Sequence, residues 1–166
     1  MKKLIAILLT LSLILCLGAC TSTPETPDTP DPVVEELSFT YNGTKIALHA
    51  PMEDILAALG QPKEYYESES CAFEGLDKTY KYNSFYIQTY PVDGKDYVYS
   101  FWFEDDLIAN DEGIAIGSPL SDVQSAYAGR YTTESGAYKI TQGKGFLTII
   151  MENDVVTSIQ YVIIAE

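Results

Sequence analysis

The chain has 166 residues, a length that favours one compact domain, and its 24 Asp and Glu against 10 Lys and Arg give a formal net charge of −14. This acidic balance argues against a nucleic-acid partner, because phosphates require a basic surface. The single histidine, His49, excludes a multi-histidine metal site and leaves little from which to build a Ser-His-Asp triad. We therefore predict no catalytic residue, no metal site and no cofactor.

The N-terminus has the three-part pattern of a bacterial secretion signal. Lys2 and Lys3 precede an apolar run over residues 4–17, which is too short to span a bilayer comfortably. The run leads into Leu-Gly-Ala-Cys at residues 17–20, which resembles the bacterial lipobox. The resemblance implies that residues 1–19 are a lipoprotein signal peptide and that Cys20 is diacylated on its thiol. The alternative is an ordinary secretory signal in which Cys20 is incidental.

Residues 20–36 are predicted to be the lipidated cysteine and a tether rich in proline, threonine and acidic residues. Frequent proline favours extended polyproline-II geometry, so residues 21–32 reach roughly 35 Å from the membrane. Signal cleavage leaves 8 bases against 24 acids, a net charge of −16, so the acyl chains provide the membrane anchor. We expect a lipid-anchored protein on the extracytoplasmic side of the cell membrane. The outer face of a Gram-positive cell is favoured, and a Gram-negative periplasmic leaflet is the alternative.

One cysteine remains in the mature domain, because Cys16 is removed with the signal and Cys20 carries lipid. No intramolecular disulfide is therefore expected. We interpret Cys71 as a small buried hydrophobic residue. The alternative is a nucleophilic thiol with His49 as its base, but no residue spacing supports that pair.

The folded part, residues 37–166, contains an internal similarity. When the chain is shifted by 68 residues, residues 42–58 align without a gap on residues 110–126, with six identities in seventeen positions. We therefore predict an α+β fold of two tandem repeats, residues 37–105 and 106–166. Each repeat packs a helix on an antiparallel sheet, with the helices on one face of the sheet. Chance similarity between two generic strand–helix–strand segments is the alternative.

Each half is predicted to contain a short strand, one helix and a set of longer strands. Pro51 and Pro119 fit the first helical position, where a missing N–H costs nothing. The apolar stripes that follow predict that Leu56 and Val123 are buried under the sheet. Strands are predicted over residues 45–48, 79–83, 85–91 and 97–104 in the first half, and 114–116, 137–141, 146–152 and 155–163 in the second.

Two such halves behind a lipobox resemble the BLIP-like lipoproteins, a group named for the β-lactamase inhibitory protein. A more distant likeness is to the small outer-membrane assembly lipoproteins of the SmpA/OmlA type. The matching residues are the run at 116–123, its weaker copy at 48–55 and the Leu-Gly-Gln-Pro helix exit at 59–62. Because the matching motifs are short and structural, the resemblance implies a fold and says little about activity. The inhibitor's repeats are braced by disulfides and this chain has only Cys71 free, so β-lactamase inhibition is not implied.

Aromatic residues in the strands predict a binding surface. By strand alternation, Tyr97, Tyr99, Phe101 and Phe103 share the face under the helices, whereas Trp102 shares the opposite face with Val98 and Ser100. The same alternation places Tyr86, Gln88 and Tyr90 with Trp102. Tyr and Trp on an open sheet are frequent anchors of binding surfaces. The alternative is that helices, the tether or the other half cover that face.

These patterns favour a non-enzymatic, lipid-anchored module that binds a protein, a peptide or a cell-wall polymer with its open sheet face. The alternative is a structural lipoprotein that stabilises an envelope-assembly complex, and a hydrolase using Cys71 or an acid pair is a third option. Four carboxylates at residues 105, 106, 111 and 112 lack the tight glycine loop of a calcium site. We interpret them as a solvated crossover between the halves.

Overall fold

The computed structural model describes residues 35–72 and 74–164. The described chain is mostly β-structure, and its elements run in the following order. They are β1 (Ser38–Tyr41), β2 (Thr44–Ala47), α1 (Met52–Leu59), β3 (Glu64–Glu69), β4 (Leu76–Lys81), β5 (Phe85–Val92), β6 (Lys95–Phe103), α2 (Leu120–Ala126), β7 (Thr132–Glu134), β8 (Ala137–Gln142), β9 (Gly145–Glu152) and β10 (Val155–Ile163).

Eight of the strands form one antiparallel sheet in the order β3-β4-β5-β6-β10-β9-β8-β7. Each half of this sheet is a four-stranded meander, and the two meanders join where β6 pairs with β10. Strands β1 and β2 form a separate two-stranded antiparallel sheet. The joint between β6 and β10 lies at the centre of the large sheet, so residues far apart in sequence become neighbours there.

The predicted α+β fold of two helix-plus-sheet repeats is wrong. The described chain has one eight-stranded antiparallel sheet and only two short helices, of eight and seven residues. The prediction gave the helices too much weight because β1, β3 and β7 were not recognised as strands. Strand β3 is exposed at all six residues, so it has no apolar alternation to mark it. The segment predicted as a strand at 114–116 is irregular, and a turn begins at Ile116.

The two helices pack on the large sheet through few residues. Met52 and Ile55 of α1 are buried, and so is Val123 of α2, as predicted. Leu56 is half-buried rather than fully buried, but with Leu59 it packs against the core, so the predicted apolar face of α1 is confirmed. Pro51 and Pro119 are N-cap residues with extended backbone, one position earlier than predicted.

The core lies between one face of the large sheet and the layer formed by the helices and the small sheet. Phe39 of β1 contacts three phenylalanine rings of the large sheet at centroid distances of 5.0–5.1 Å. Tyr161 of β10 stacks on Phe101 of β6 at 4.4 Å, which ties the two meanders together. Fully burying side chains of this size stabilises a fold by about 1.5–3 kcal/mol each.

A β-bulge changes which residues of β6 face the core. Gln88 pairs with Ser100, but the next residue of β5, Thr89, pairs with Val98, so Tyr99 is the extra residue. Val98 is therefore fully buried, while Tyr97 and Tyr99 are half-buried. Strict alternation had placed Tyr97 and Val98 on the wrong faces, whereas Tyr99, predicted to face the core, packs against it.

The predicted signal peptide 1–19, the predicted lipidation site Cys20 and the predicted tether as far as residue 34 lie outside the described residues. Within residues 35–72 and 74–164, no helix is both long and apolar enough to cross a bilayer.

Candidate functional site

An aromatic pair stands near the centre of the large sheet, on the face opposite the core. Tyr86 of β5 and Trp102 of β6 are directly paired across the strands. Their rings are stacked, with centroids 5.0 Å apart and planes within 8° of parallel. Both side chains are half-buried and neither belongs to the hydrophobic core cluster. We call the surface around them, defined by Tyr86, Gln88, Trp102 and Gln160, the open face.

Amide and hydroxyl groups surround the aromatic pair. The hydroxyl of Ser100 donates a hydrogen bond to Gln88 Oε1 over 3.3 Å. On the other side of Trp102, Gln160 of β10 is its direct partner across the joint between the meanders. Gln88, Trp102, Ser158 and Gln160 together line a shallow depression. The site therefore combines an apolar ring with groups that donate and accept hydrogen bonds.

A charged group bounds the open face on the β4 side. Lys81 Nζ lies 5.2 Å from the centre of the Tyr86 ring and 2.9 Å from a carboxylate oxygen of Glu104. The Tyr86 hydroxyl donates to the same oxygen over 3.1 Å. Hydrogen bonds with Tyr86 and then Glu104 raise the pKa of Lys81, so this lysine remains charged at neutral pH. These contacts hold the Tyr86 ring in place beside Trp102.

Tyr90 forms a separate cluster at the far end of β5. Its hydroxyl lies 3.0 Å from His49 Nδ1, and its ring contacts Tyr97 and Tyr99 at centroid distances of 6.2 Å. Burial raises the pKa of Tyr90. The structure thus brings together three of the four predicted binding residues, Tyr86, Gln88 and Trp102, and leaves Tyr90 outside this group.

Cys71 is exposed, so its interpretation as a buried hydrophobic residue is wrong. It lies in the turn between β3 and β4, where neighbouring strands bury little apolar surface. His49, its hypothetical base, is engaged with Tyr90 instead.

Three of the four carboxylates of the crossover accept hydrogen bonds from backbone or hydroxyl groups. Asp105 accepts a hydrogen bond from the Leu107 N–H, and Asp111 accepts one from the Thr40 N–H. Glu112 accepts a hydrogen bond from the Tyr127 hydroxyl over 3.1 Å. Among the described residues, no group of His, Cys, Asp and Glu is arranged to hold a metal ion.

Sequence reasoning missed Gln160, Ser158 and the role of Lys81. Gln160 and Ser158 belong to β10, more than fifty residues from Trp102, and only the pairing of β6 with β10 brings them together. Consecutive antiparallel strands are expected to pair with each other as hairpins. No local sequence pattern indicates which edge strand of one meander pairs with which edge strand of the other. Lys81 was identifiable only through its cross-strand partner, Tyr86.

No family model and no curated protein matches the chain. Among solved structures, it is similar to the uncharacterized protein YfeY from Escherichia coli, with 16% identity and a TM-score of 0.45 over 78% of this chain and 98% of that chain. It is also similar to a cysteine-rich secretory protein from Staphylococcus aureus Mu50, with 11% identity and a TM-score of 0.44 over 70% of this chain and 44% of that chain. Neither likeness carries a functional argument, and the resemblance to BLIP-like lipoproteins stays a prediction.

Proposed function

We propose that this protein is a non-enzymatic binding module, held at the extracytoplasmic face of the cell membrane by acyl chains on Cys20. Its open face binds the partner or ligand. The observation that supports this function is the stacked Tyr86–Trp102 pair, which lies outside the core on the middle strands of the large sheet. A large aromatic pair that stays partly in water contributes less to folding than a buried one and is available for contact.

The neighbouring residue on β6 provides a matched control for this proposal. Phe101 is fully buried and faces the core, whereas Trp102, the next residue, faces the other way. We expect Trp102→Ala to lower the free energy of unfolding by about 1–3 kcal/mol, because the change loses both the aromatic pair and the buried half of the indole. Phe101→Ala should lower it by about 3–5 kcal/mol. Denaturant unfolding of the full chain measures both values, and equal losses would contradict the proposal.

Access to the open face is measurable because Trp102 is the only tryptophan. Acrylamide should quench its fluorescence in the folded protein, since the ring is half-buried rather than enclosed. Fluorescence that responds to acrylamide only after unfolding would show a covered face and would refute the binding module.

The anchor is tested by Cys20→Ser. This change should move the protein from the membrane pellet to the soluble fraction, because the acyl chains are the apolar anchor that remains after processing. Cys71→Ser is the matched control and should leave the protein in the pellet. Cys20→Ser protein that stays in the pellet after signal cleavage would contradict lipid anchoring.

A further inference from the structure

Two rows of side chains on the middle six strands of the open face contain no Asp or Glu, although the chain has 24 of these residues, and the carboxylate that touches them is that of Glu104, which contacts Lys81 and Tyr86. Strand register defines both rows. The first contains Lys81, Tyr86, Trp102, Gln160, Thr148 and Lys139, and the second contains Thr79, Gln88, Ser100, Val162, Phe146 and Thr141. Half of these twelve residues are Gln, Ser or Thr, and Ser100 among them is buried and donates to Gln88. The two lysines are engaged at the ends of the first row, Lys81 with the Glu104 carboxylate and Lys139 over the Phe146 ring. A surface of this kind on an acidic protein complements an uncharged ligand that forms many hydrogen bonds.

The depression beside Trp102 is open and small. Its volume is about 250 Å³, below the roughly 300–1,000 Å³ of typical pockets for small ligands. Tyr86 covers one face of the indole, so the other face is turned towards Gln160 and the depression. The site therefore suits one unit of a longer chain, whose other units lie along the rows.

On the basis of the proposed function, we propose that the open face binds a neutral polysaccharide, with one sugar ring against Trp102. Sugar rings present C–H bonds on their faces, and the face of an aromatic ring carries the partial negative charge that attracts these hydrogens. The amides of Gln88 and Gln160 both donate and accept hydrogen bonds, as sugar hydroxyls do. At about 4.8 Å between strands, the middle six strands span roughly 24 Å, which accommodates several consecutive sugars.

A surface that binds a protein partner is expected to be more apolar than this one. The buried centre of a protein interface is about 65% apolar, whereas amides and hydroxyls make up half of the two central rows. A polysaccharide satisfies such groups without burying them against apolar atoms, so they lose few hydrogen bonds on binding.

The fluorescence of Trp102 reports this site alone, because the chain has no other tryptophan. The full-length chain in detergent is titrated with chitohexaose, a neutral hexamer of N-acetylglucosamine, and with the monomer, and calorimetry provides a second readout. We expect a saturable response to the hexamer and at least tenfold weaker binding of the monomer, which contacts only the depression. Gln160→Ala should weaken binding about fivefold, as for one lost hydrogen bond. Gln124→Ala, at an exposed position of α2, should not change it.

Each outcome separates this assignment from the proposed function. If millimolar chitohexaose gives no response while acrylamide still quenches Trp102, the proposal of a polysaccharide ligand is overturned and the proposal of a binding module stands. Equal binding by wild type and by folded Gln160→Ala protein would overturn the assigned site. An envelope protein whose binding depends on Gln160, together with no response to sugar, would show a protein occupant and overturn the assignment. A Trp102 shielded from acrylamide would refute both proposals.

Discussion

The chain approaches its two helices through segments that make the same backbone contacts. We call residues 48–51, before α1, the first approach segment and residues 116–119, before α2, the second. In the first, the His49 N–H donates a hydrogen bond to the Val98 carbonyl over 3.0 Å, and the Val98 N–H donates to the Ala50 carbonyl over 2.9 Å. The segment therefore pairs with β6 as a short strand would, and an isolated bridge between Pro51 and Tyr97 extends the pairing. The helix begins directly after this contact.

The second approach segment forms the same pattern against β10. The Gly117 N–H donates to the Val156 carbonyl over 2.8 Å, and the Val156 N–H donates to the Ser118 carbonyl over 2.9 Å. Pro119 and Val155 form the corresponding isolated bridge. The Ser118 hydroxyl accepts a hydrogen bond from the Ala115 N–H, and no side chain of the N-cap residue caps α2.

The two approach segments differ in the residue that adopts a positive φ angle. That residue is His49 in the first segment, with φ of 62°, and Gly117 in the second, with φ of 91°. A left-handed backbone costs most residues roughly 1–2 kcal/mol, but glycine adopts it freely. Both segments adopt a positive φ angle at this position, so pairing with the sheet imposes it whichever residue is present. In the first segment, the His49 side chain also contacts the Tyr90 hydroxyl.

The largest expected effect comes from removing the side chain that holds α1 on the sheet. Ile55 is 2% exposed, so Ile55→Ala should lower the free energy of unfolding by about 2–5 kcal/mol. Leu56→Ala is the matched control, and it should cost clearly less because Leu56 is half-buried. Chemical denaturation of both variants measures the difference. A larger loss for Leu56→Ala would mean that Leu56, and not Ile55, is the main core contact of α1.

A smaller effect is expected from giving the second approach segment a side chain at its positive φ angle. Gly117→Ala adds a Cβ that meets no atom within 4 Å, so only the backbone conformation resists it. We expect a loss of about 1–2 kcal/mol, measured by thermal unfolding. Gln124→Ala, exposed on α2, should stay within about 0.5 kcal/mol of wild type. No loss for Gly117→Ala would mean that the segment relaxes to another backbone conformation.

Strands with a clear apolar pattern could be predicted from the sequence, and those without one could not. The predicted ranges 85–91 and 146–152 overlap β5 and β9, where buried and half-buried residues alternate. Strand β3 has no buried residue, and β7 has only three residues, all exposed. Both lie at edges of the large sheet, where one neighbouring strand is enough to hold them.

The candidate site could be predicted only within one hairpin. Trp102 and Tyr86 are paired across β5 and β6, so alternation along these two strands was enough to put them together. The bulge at Tyr99 reversed the alternation beyond Ser100, and no glycine marks it. Gln160 depends on the long-range pairing of β6 with β10, which hairpin patterns do not encode.

The smallest expected effect is that of His49→Gly, which makes the first approach segment like the second. Removing the side chain relieves a backbone cost of about 1–2 kcal/mol. The change also loses the contact between His49 Nδ1 and the Tyr90 hydroxyl, worth about 0.5–1.5 kcal/mol, and makes the unfolded chain more flexible by about 0.5–1 kcal/mol. Because these contributions oppose each other, the free energy of unfolding should stay within about 1 kcal/mol of wild type.

Tyr90→Phe keeps the backbone and removes only the hydroxyl, so it measures the contact by itself. If His49→Gly costs more than about 2 kcal/mol while Tyr90→Phe is neutral, the histidine stabilises its segment through packing, and the two approach segments are not equivalent.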